Sequence, residues 1–175
     1  MKTLLFPLMI GLLMLTQLSC AETSDTPEVL EISDEKAEVI ENAVFTDLEG
    51  NELTISDFAG KTVLIDVWET WCAPCIASMP TLHQLAEDYP DDFVVVALSP
   101  KIMDSPEQVE EFEADHDYNF TYVYGRQFAI DFEVQSIPHK IYVGPDGKYL
   151  TTIEGSHGPE QDYENTKEII EANRN

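Results

Sequence analysis

Two short, β-branched apolar runs with a helical segment between them constrain the fold of this chain most strongly. Residues 62–68 read TVLIDVW and residues 93–98 read FVVVAL, the pattern of strands buried on both faces. Residues 74–89 between them carry apolar side chains at helical spacing, and Pro80 within that segment predicts a kink. The order strand, helix, strand predicts an α/β fold in which helices cover a central sheet.

The rest of the predicted domain, residues 43–175, follows the same alternation. A final hairpin with a Pro-Asp-Gly turn makes the expected sheet mixed. The further elements are a hairpin at 44–55, a helix from Pro106 to Asp115 capped by Ser105, a strand at 122–124, a short helix at 126–132, the hairpin strands at 139–143 and 149–154, and a helix at 158–172.

Charge and cysteine content exclude several classes of function. The chain has 34 acidic and 9 basic side chains and a formal net charge of −25. It cannot assemble the Lys/Arg patch that binding to nucleic acid or to anionic lipid requires. Three cysteines among 175 residues are too few for a disulfide scaffold. The 43% of hydrophobic residues allows one domain with a sizeable core.

The N-terminus has the pattern of an export signal. Lys2 precedes an apolar run over residues 4–15, and Leu18-Ser19-Cys20 follows. The run is shorter than the roughly 20 residues that a membrane-spanning helix needs. The segment resembles a bacterial lipoprotein signal over residues 1–20, which makes Cys20 the expected lipidation site. Ordinary cleavage after Ala21, with release of the protein, is the alternative. Either route predicts an exported protein.

An acidic segment separates this signal from the predicted domain. Residues 21–42 contain eight carboxylates and a single lysine, Lys36. Their charge and lack of aromatic side chains predict a solvated, extended tether. Its apolar residues are the exception, because they could support a short helix or strand; they are Val29, Leu30, Ile32, Val39 and Ile40.

One motif carries the chemistry. Trp71-Cys72-Ala73-Pro74-Cys75 follows the first buried strand and opens the next helix. The unpaired N–H groups and the dipole at a helix N-terminus lower the pKa of a thiol there. A second cysteine three residues on can close a reversible disulfide. A structural zinc site needs two more ligands, and the chain has no second Cys-x-x-Cys and no His pair at ligand spacing.

The chain resembles the thioredoxin-fold thiol–disulfide oxidoreductases, and more narrowly the exported TlpA/ResA type. The match covers about residues 43–154, and the insertion containing the 106–115 helix belongs to it. It implies a three-layer thioredoxin-like sandwich with an N-terminal hairpin and an inserted αβ segment. The residues that carry the match are Asp66, Trp68, the Trp71–Cys75 motif, Pro80 and Ile137-Pro138.

The resemblance assigns roles to these positions. Cys72 is the expected nucleophile and Cys75 the more buried resolving thiol, which together form the redox-active disulfide. Asp66 lies in an apolar strand, where desolvation raises a carboxyl pKa. It is the expected proton-exchange partner of Cys75. The expected substrate-binding residues are Trp71, Ala73, Pro74, Ile137 and a cis Pro138, whose loop leaves backbone free to pair with a substrate strand.

Two charged or titratable residues depart from the pattern. Glu69 stands where thioredoxin has a small residue. If it lies close to the cysteines, its charge opposes the thiolate and makes the protein more reducing, whereas the alternative is a solvated loop carboxylate. His139 replaces the usual Thr after Pro138. It could tune the thiolate, or it could hold copper together with Cys72 and Cys75.

The sequence therefore predicts an enzyme that exchanges disulfides with envelope proteins. A reductant fed by a membrane electron donor fits an oxidising compartment best, and cytochrome c maturation is the task the resemblance implies. A copper chaperone that uses His139 and a thiol peroxidase are the alternatives, although no Arg stands near Cys72 for the latter. We expect a monomer with no cofactor and no resident metal.

Overall fold

The computed structural model describes residues 34–174, which form one mixed sheet with helices on both faces. A short 3₁₀ turn at Ile55–Phe58 joins the N-terminal hairpin to the next strand. The strands are β1 Val44–Asp47, β2 Glu52–Thr54, β3 Thr62–Val67, β4 Phe93–Ser99, β5 Phe120–Tyr124, β6 His139–Val143 and β7 Tyr149–Glu154; the helices are α1 Asp34–Glu41, α2 Ala73–Asp88, α3 Pro106–Asp115, α4 Arg126–Asp131 and α5 Pro159–Asn173.

Strand order places β3 near the middle of the sheet. The order is β2-β1-β5-β4-β3-β6-β7. β3 pairs with β4 in parallel and with β6 antiparallel, and β4 pairs with β5 in parallel. All six residues of β3 are buried, as the continuous apolar run predicts for a strand covered on both faces. The predicted mixed sheet is confirmed.

Two apolar layers separate the sheet from its helices. On one face, Ile40 of α1 and Phe128 of α4 pack against the odd-numbered side chains of β3, such as Ile65. On the other face, Leu82 of α2 and residues of α5 pack against Leu64. Successive strand residues point to opposite faces, so β3 contributes to both layers. This is the three-layer thioredoxin-like sandwich that the sequence predicts.

Helix α1 corrects the predicted domain boundary. Residues 34–41 are helical, and Ile40 is fully buried in the core. Ion pairs join Lys36 to Glu133 at 3.1 Å and Glu41 to Lys148 at 3.1 Å. The prediction of an extended tether up to residue 42 is therefore wrong for this part, because the apolar pair Val39-Ile40 finds a surface to cover.

The predicted signal at residues 1–20, including Cys20, and the first part of the predicted tether lie outside the described residues. Within residues 34–174, no helix combines the length and the apolar character needed to cross a membrane.

One edge of the sheet collects the ends of several strands. Because β3 and β4 are parallel, the segments after Val67 and after Ser99 leave the sheet at the same edge. β6 begins there too, since His139 is the register partner of Val67. The Cys-x-x-Cys motif, the 100–105 loop after β4 and the Ile137-Pro138 segment are thereby brought to one place, although they are far apart in sequence.

Candidate active site

The two cysteines form a disulfide at the N-terminus of α2. Cys72 and Cys75 are bonded, with Cα atoms 5.3 Å apart. Cys72 is the N-cap of α2, and its sulfur accepts the backbone N–H of Cys75 at 3.3 Å. Pro74 occupies the first turn of the helix, where a residue without an N–H loses no intrahelical bond. The helix end thus supplies the donors that stabilise a Cys72 thiolate when the disulfide opens.

Both sulfurs are shielded in the disulfide form. Cys72 is 2% exposed and Cys75 is fully buried, so the more accessible sulfur is the one expected to attack. Ala73 and Pro74 are exposed on either side, and Trp71 is 55% exposed. These three residues are the substrate contacts that the resemblance predicts on this side, and all three are open to solvent.

The Ile137-Pro138 segment closes the site from the other side. The peptide bond between these residues is cis, and Pro138 is buried. Ile137 packs against the apolar cluster that contains Cys72, Cys75 and Trp68. The structure therefore brings together the cysteines and the loop that the resemblance assigns to substrate binding.

Asp66 is a buried carboxylate with no hydrogen bond. It is 1% exposed, and neither carboxylate oxygen has a hydrogen-bond partner among the described residues. By strand alternation its side chain shares a face with Leu64, the face that α2 covers. Burial raises the pKa of Asp66 to about 6; the cation of Lys140 opposes this rise and the charge of Asp162 adds to it.

A buried ion pair lies beside Asp66, and sequence reasoning missed it. Lys140 is the cross-strand partner of Asp66 in the β3–β6 register. Its Nζ lies 3.5 Å from an oxygen of Asp162 on α5, and both side chains are 1% exposed. Asp162 also accepts hydrogen bonds from the Ser156 hydroxyl and the His157 backbone N–H. The available signal was a lysine inside the apolar run HKIYV, since buried lysines are rare unless paired.

Glu69 is buried and fully hydrogen-bonded. It is 1% exposed, so the alternative of a solvated loop carboxylate is wrong. One carboxylate oxygen accepts the backbone N–H groups of Ile102 and Met103, the latter at 3.0 Å. The other accepts the indole N–H of Trp71 at 2.7 Å. The backbone carbonyl of Glu69 accepts the N–H of Cys72 at 2.9 Å, which ties it to the motif.

His139 is buried beside the aromatic ring of Phe132. It is 4% exposed, and the two ring centroids are 5.8 Å apart. Burial lowers the pKa of His139, which favours the neutral ring. Within residues 34–174, no three His, Cys, Asp or Glu side chains form a cluster that could hold a metal ion, so no observation favours the copper hypothesis.

Comparison with known proteins agrees with this geometry. The redoxin family matches residues 32–169. The thiol-disulfide oxidoreductase ResA of Bacillus thuringiensis subsp. konkukian is 33% identical over 131 residues, which cover 73% of this chain and 75% of that protein. The chain belongs to the redoxin family. Its Cys72–Cys75 pair makes it a thiol–disulfide oxidoreductase, as the motif predicts.

Solved structures of other proteins share the fold. One from Chlorobium tepidum, assigned as a thiol:disulfide interchange protein DsbE, has a TM-score of 0.64 and 26% identity over 74% of this chain and 91% of that chain. A solution structure from Neisseria meningitidis, assigned as a thioredoxin, has a TM-score of 0.64 and 28% identity over 74% of this chain and 87% of that chain. The predicted TlpA/ResA-type fold of this redoxin is confirmed.

Proposed function

We propose that this redoxin is an exported, lipid-anchored reductant of protein disulfides in the cell envelope. The observation that carries the proposal is a Cys72–Cys75 disulfide at the N-terminus of α2 together with a buried carboxylate, Asp66, on the sheet face that α2 covers. Export and lipidation rest on the signal-like residues 1–20 and on Cys20. Cytochrome c maturation, fed by a membrane electron donor, is the task within this class that we propose.

The reaction begins with the reduced enzyme. The Cys72 thiolate attacks one sulfur of a substrate disulfide, a mixed disulfide forms, and the other substrate sulfur leaves as a thiolate. Cys75 then loses its proton and attacks Cys72, which expels the second substrate thiolate. The substrate gains two electrons, and the enzyme ends in the Cys72–Cys75 disulfide of this structure.

Asp66 is proposed to take the proton of Cys75 in the second step. Its pKa of about 6 leaves it mostly ionised at neutral pH, so it can accept a proton. No N–H or O–H donor among the described residues holds its oxygens, so the carboxyl can take up a proton without breaking a hydrogen bond.

Glu69 supports the direction of electron flow. Its buried carboxylate lies in the segment that leads into Cys72. A negative charge there disfavours a second negative charge on the Cys72 sulfur. The disulfide is thereby favoured over the dithiol, which makes the enzyme a stronger reductant.

The reduction potential of the Cys72–Cys75 couple tests the proposal. We expect a value near or below about −250 mV, on the thioredoxin side of the scale, after equilibration in dithiol buffers and trapping of free thiols by mass. A value of about −120 to −180 mV indicates an oxidase or isomerase and contradicts the reductant proposal. Cys72→Ser and Cys75→Ser are the controls, because each removes the couple.

A further inference from the structure

Each of two loops at the active-site edge supplies a carboxylate that accepts hydrogen bonds from the other loop. Glu69, in the segment after β3, accepts the N–H groups of Ile102 and Met103 in the loop after β4. In return Asp104 of that loop accepts the Thr70 N–H at 2.6 Å and the Thr70 hydroxyl at 2.8 Å. Both carboxylates are buried, at 1% and 7% exposure. Hydrogen bonds to an ionised group are stronger than those between two neutral groups. These bonds therefore hold the two loops in one arrangement.

The same Glu69 side chain also fixes an aromatic ring. Its second oxygen accepts the indole N–H of Trp71 at 2.7 Å. One carboxylate group therefore holds the ring beside Cys72 and the backbone at the tip of the 100–105 loop. Lys101 precedes that tip with a φ of 48°, a left-handed conformation that is uncommon for a residue other than glycine. The hydrogen bonds of Glu69 to the next two residues keep the chain in this turn.

The result is an exposed apolar surface next to the disulfide. Trp71, Ile102 and Met103 are 55%, 67% and 70% exposed, and they are three of the five large hydrophobic side chains that stand exposed in the described part of the chain. We call these three residues the redox platform. Isolated exposed apolar residues are common, whereas a group of them at one place marks an interaction site. The hydrogen bonds of Glu69 hold these three residues at one place.

We propose that Glu69 is a positioning residue that builds the redox platform, and that the platform binds an apolar side chain next to the target cysteine of a basic substrate polypeptide. The inference rests on the proposed function, since it assigns the substrate of the same disulfide. Apolar chemistry follows from the three side chains, and their place beside Cys72 sets the position relative to the target cysteine.

Charge identifies the rest of the partner. Helix α3 begins two residues after Asp104, and its exposed face carries Glu107, Glu110 and Glu111. The whole chain carries a formal charge of −25. Such a surface attracts cationic segments and repels acidic ones, which affects the rate of encounter most strongly. A basic segment with an apolar residue next to its cysteine is complementary both to the acidic face of α3 and to the redox platform.

Glu69→Gln tests the platform through the ratio of the rates of two peptides, because a change in the Cys72 thiolate affects both peptides alike. The amide oxygen of Gln can still accept the two loop N–H groups. Its NH₂ group then faces the indole N–H of Trp71, and two donors cannot bond to each other. The variant therefore releases the ring, and it also removes the negative charge that precedes Cys72. Glu168→Gln, on an exposed part of α5, is the matched control for the same chemical change.

The test measures oxidation of the reduced full chain by three disulfides: glutathione disulfide, a disulfide-linked Lys-Lys-Leu-Cys-Lys peptide dimer, and the same dimer with Gly in place of Leu. We expect Glu69→Gln to lower the ratio of the second-order rate constants for the Leu and Gly peptides about tenfold, the size of effect that one apolar contact gives. The loss of charge beside Cys72 should change the rates with the Gly peptide and with glutathione disulfide by a common factor, so the ratio of these two rates stays within about twofold of the wild type. Glu168→Gln should leave every ratio within about twofold of the wild type.

A second variant tests the platform without touching Glu69. Ile102→Ser combined with Met103→Ser removes two exposed side chains, and we expect the same loss of preference for the Leu peptide. A Leu peptide with Glu in place of Lys should react more slowly with the wild type. The inference is overturned if both variants keep the wild-type ratio of Leu to Gly peptide rates. It is also overturned if the platform is covered by a second copy, seen as a dimer by sedimentation that the double variant dissociates.

The two proposals fail in different ways. If the wild type exchanges with none of the three disulfides, the proposed function fails, and the substrate assignment falls with it. If it reduces all three at rates that the variants leave in the same ratio, only the platform inference fails.

Discussion

Two buried carboxylates, three residues apart, precede the redox motif, and they differ in their hydrogen bonds. Asp66 and Glu69 are each 1% exposed. Glu69 accepts three N–H bonds, whereas Asp66 has no hydrogen-bond partner among the described residues. Burial of a charge is costly unless donors replace the lost water. Glu69 therefore stabilises the arrangement of the loops, whereas Asp66 keeps a raised pKa that suits proton exchange.

The position of each residue in the chain explains the difference. Asp66 lies within β3, between its register partners Ala97 and Lys140. The backbone N–H groups around it are already used in the sheet, so only the cation of Lys140 remains to offset the burial. Glu69 comes after the strand ends, where it meets the irregular 100–105 loop. Backbone N–H groups in such a loop have no strand partner, and a carboxylate can accept them.

The largest expected effect comes from removing the cation beside Asp66. Lys140→Met leaves the buried carboxylates of Asp66 and Asp162 without their positive neighbour. We expect the free energy of unfolding, measured by urea denaturation at pH 7, to fall by about 3–5 kcal/mol. Lys167→Met is the matched control, because its pair with Glu171 is half-exposed at 3.8 Å and such pairs contribute about 0–1 kcal/mol.

A second substitution sharpens this prediction. Adding Asp66→Asn to Lys140→Met removes one of the two uncompensated charges. It should return more stability there than it adds to the wild type, because Lys140 no longer offsets the burial of that charge. If Asp66→Asn stabilises the wild type and the Lys140→Met variant equally, Lys140 and Asp66 are not coupled.

Neutralising Asp66 alone should stabilise the oxidised protein. Its folded pKa of about 6 lies above the unfolded value of 3.8, so the folded chain binds more protons between these values. The free energy of unfolding of the wild type therefore falls as pH rises from about 4 to about 6. The Asp66→Asn variant has no carboxyl to ionise at this position, so its stability does not fall in this way. We expect it to be more stable than the wild type by about 3 kcal/mol at pH 7 and nearly equal at pH 4.

Denaturant midpoints of the two proteins at both pH values provide the measurement. A difference that stays constant with pH would mean that Asp66 does not titrate near 6. Asp66→Asn should also slow the release of the mixed disulfide at neutral pH, which separates its catalytic role from its effect on stability.

Neutralising Glu69 should lower the free energy of unfolding, which is the opposite of the effect at Asp66, and the change should be smaller. Glu69→Gln places an amide N–H₂ against the indole N–H of Trp71, which leaves a buried donor without an acceptor. We expect a loss of about 1–2 kcal/mol in the free energy of unfolding at pH 7. Asp104→Asn is the comparison, because its NH₂ can donate to the Thr70 hydroxyl while its oxygen accepts the Thr70 N–H. A gain in stability on Glu69→Gln would remove the contrast with Asp66.

Much of the fold follows from local pattern. Helix α3 and strands β6 and β7 have their predicted bounds, because capping, turn residues and apolar runs all agree there. For α1 the local pattern predicts a tether instead, because the eight carboxylates of residues 21–42 outweigh their few apolar side chains. What changes the outcome is the burial of Ile40 against Phe128 and other core residues, a contact between segments almost ninety positions apart.

The sequence by itself determined the chemistry: a Cys-x-x-Cys motif that follows a buried strand and opens a helix can only sit at that helix N-terminus, because both elements are specified locally. The tertiary structure decided which charged side chains are buried and which partners they bind. Whether Glu69 is solvated depends on a loop more than thirty residues away, and Lys140 acquires its partner from α5. Hydrogen bonds and ion pairs in a low-dielectric interior are set by which distant segments meet, and that information appears only when the sheet assembles.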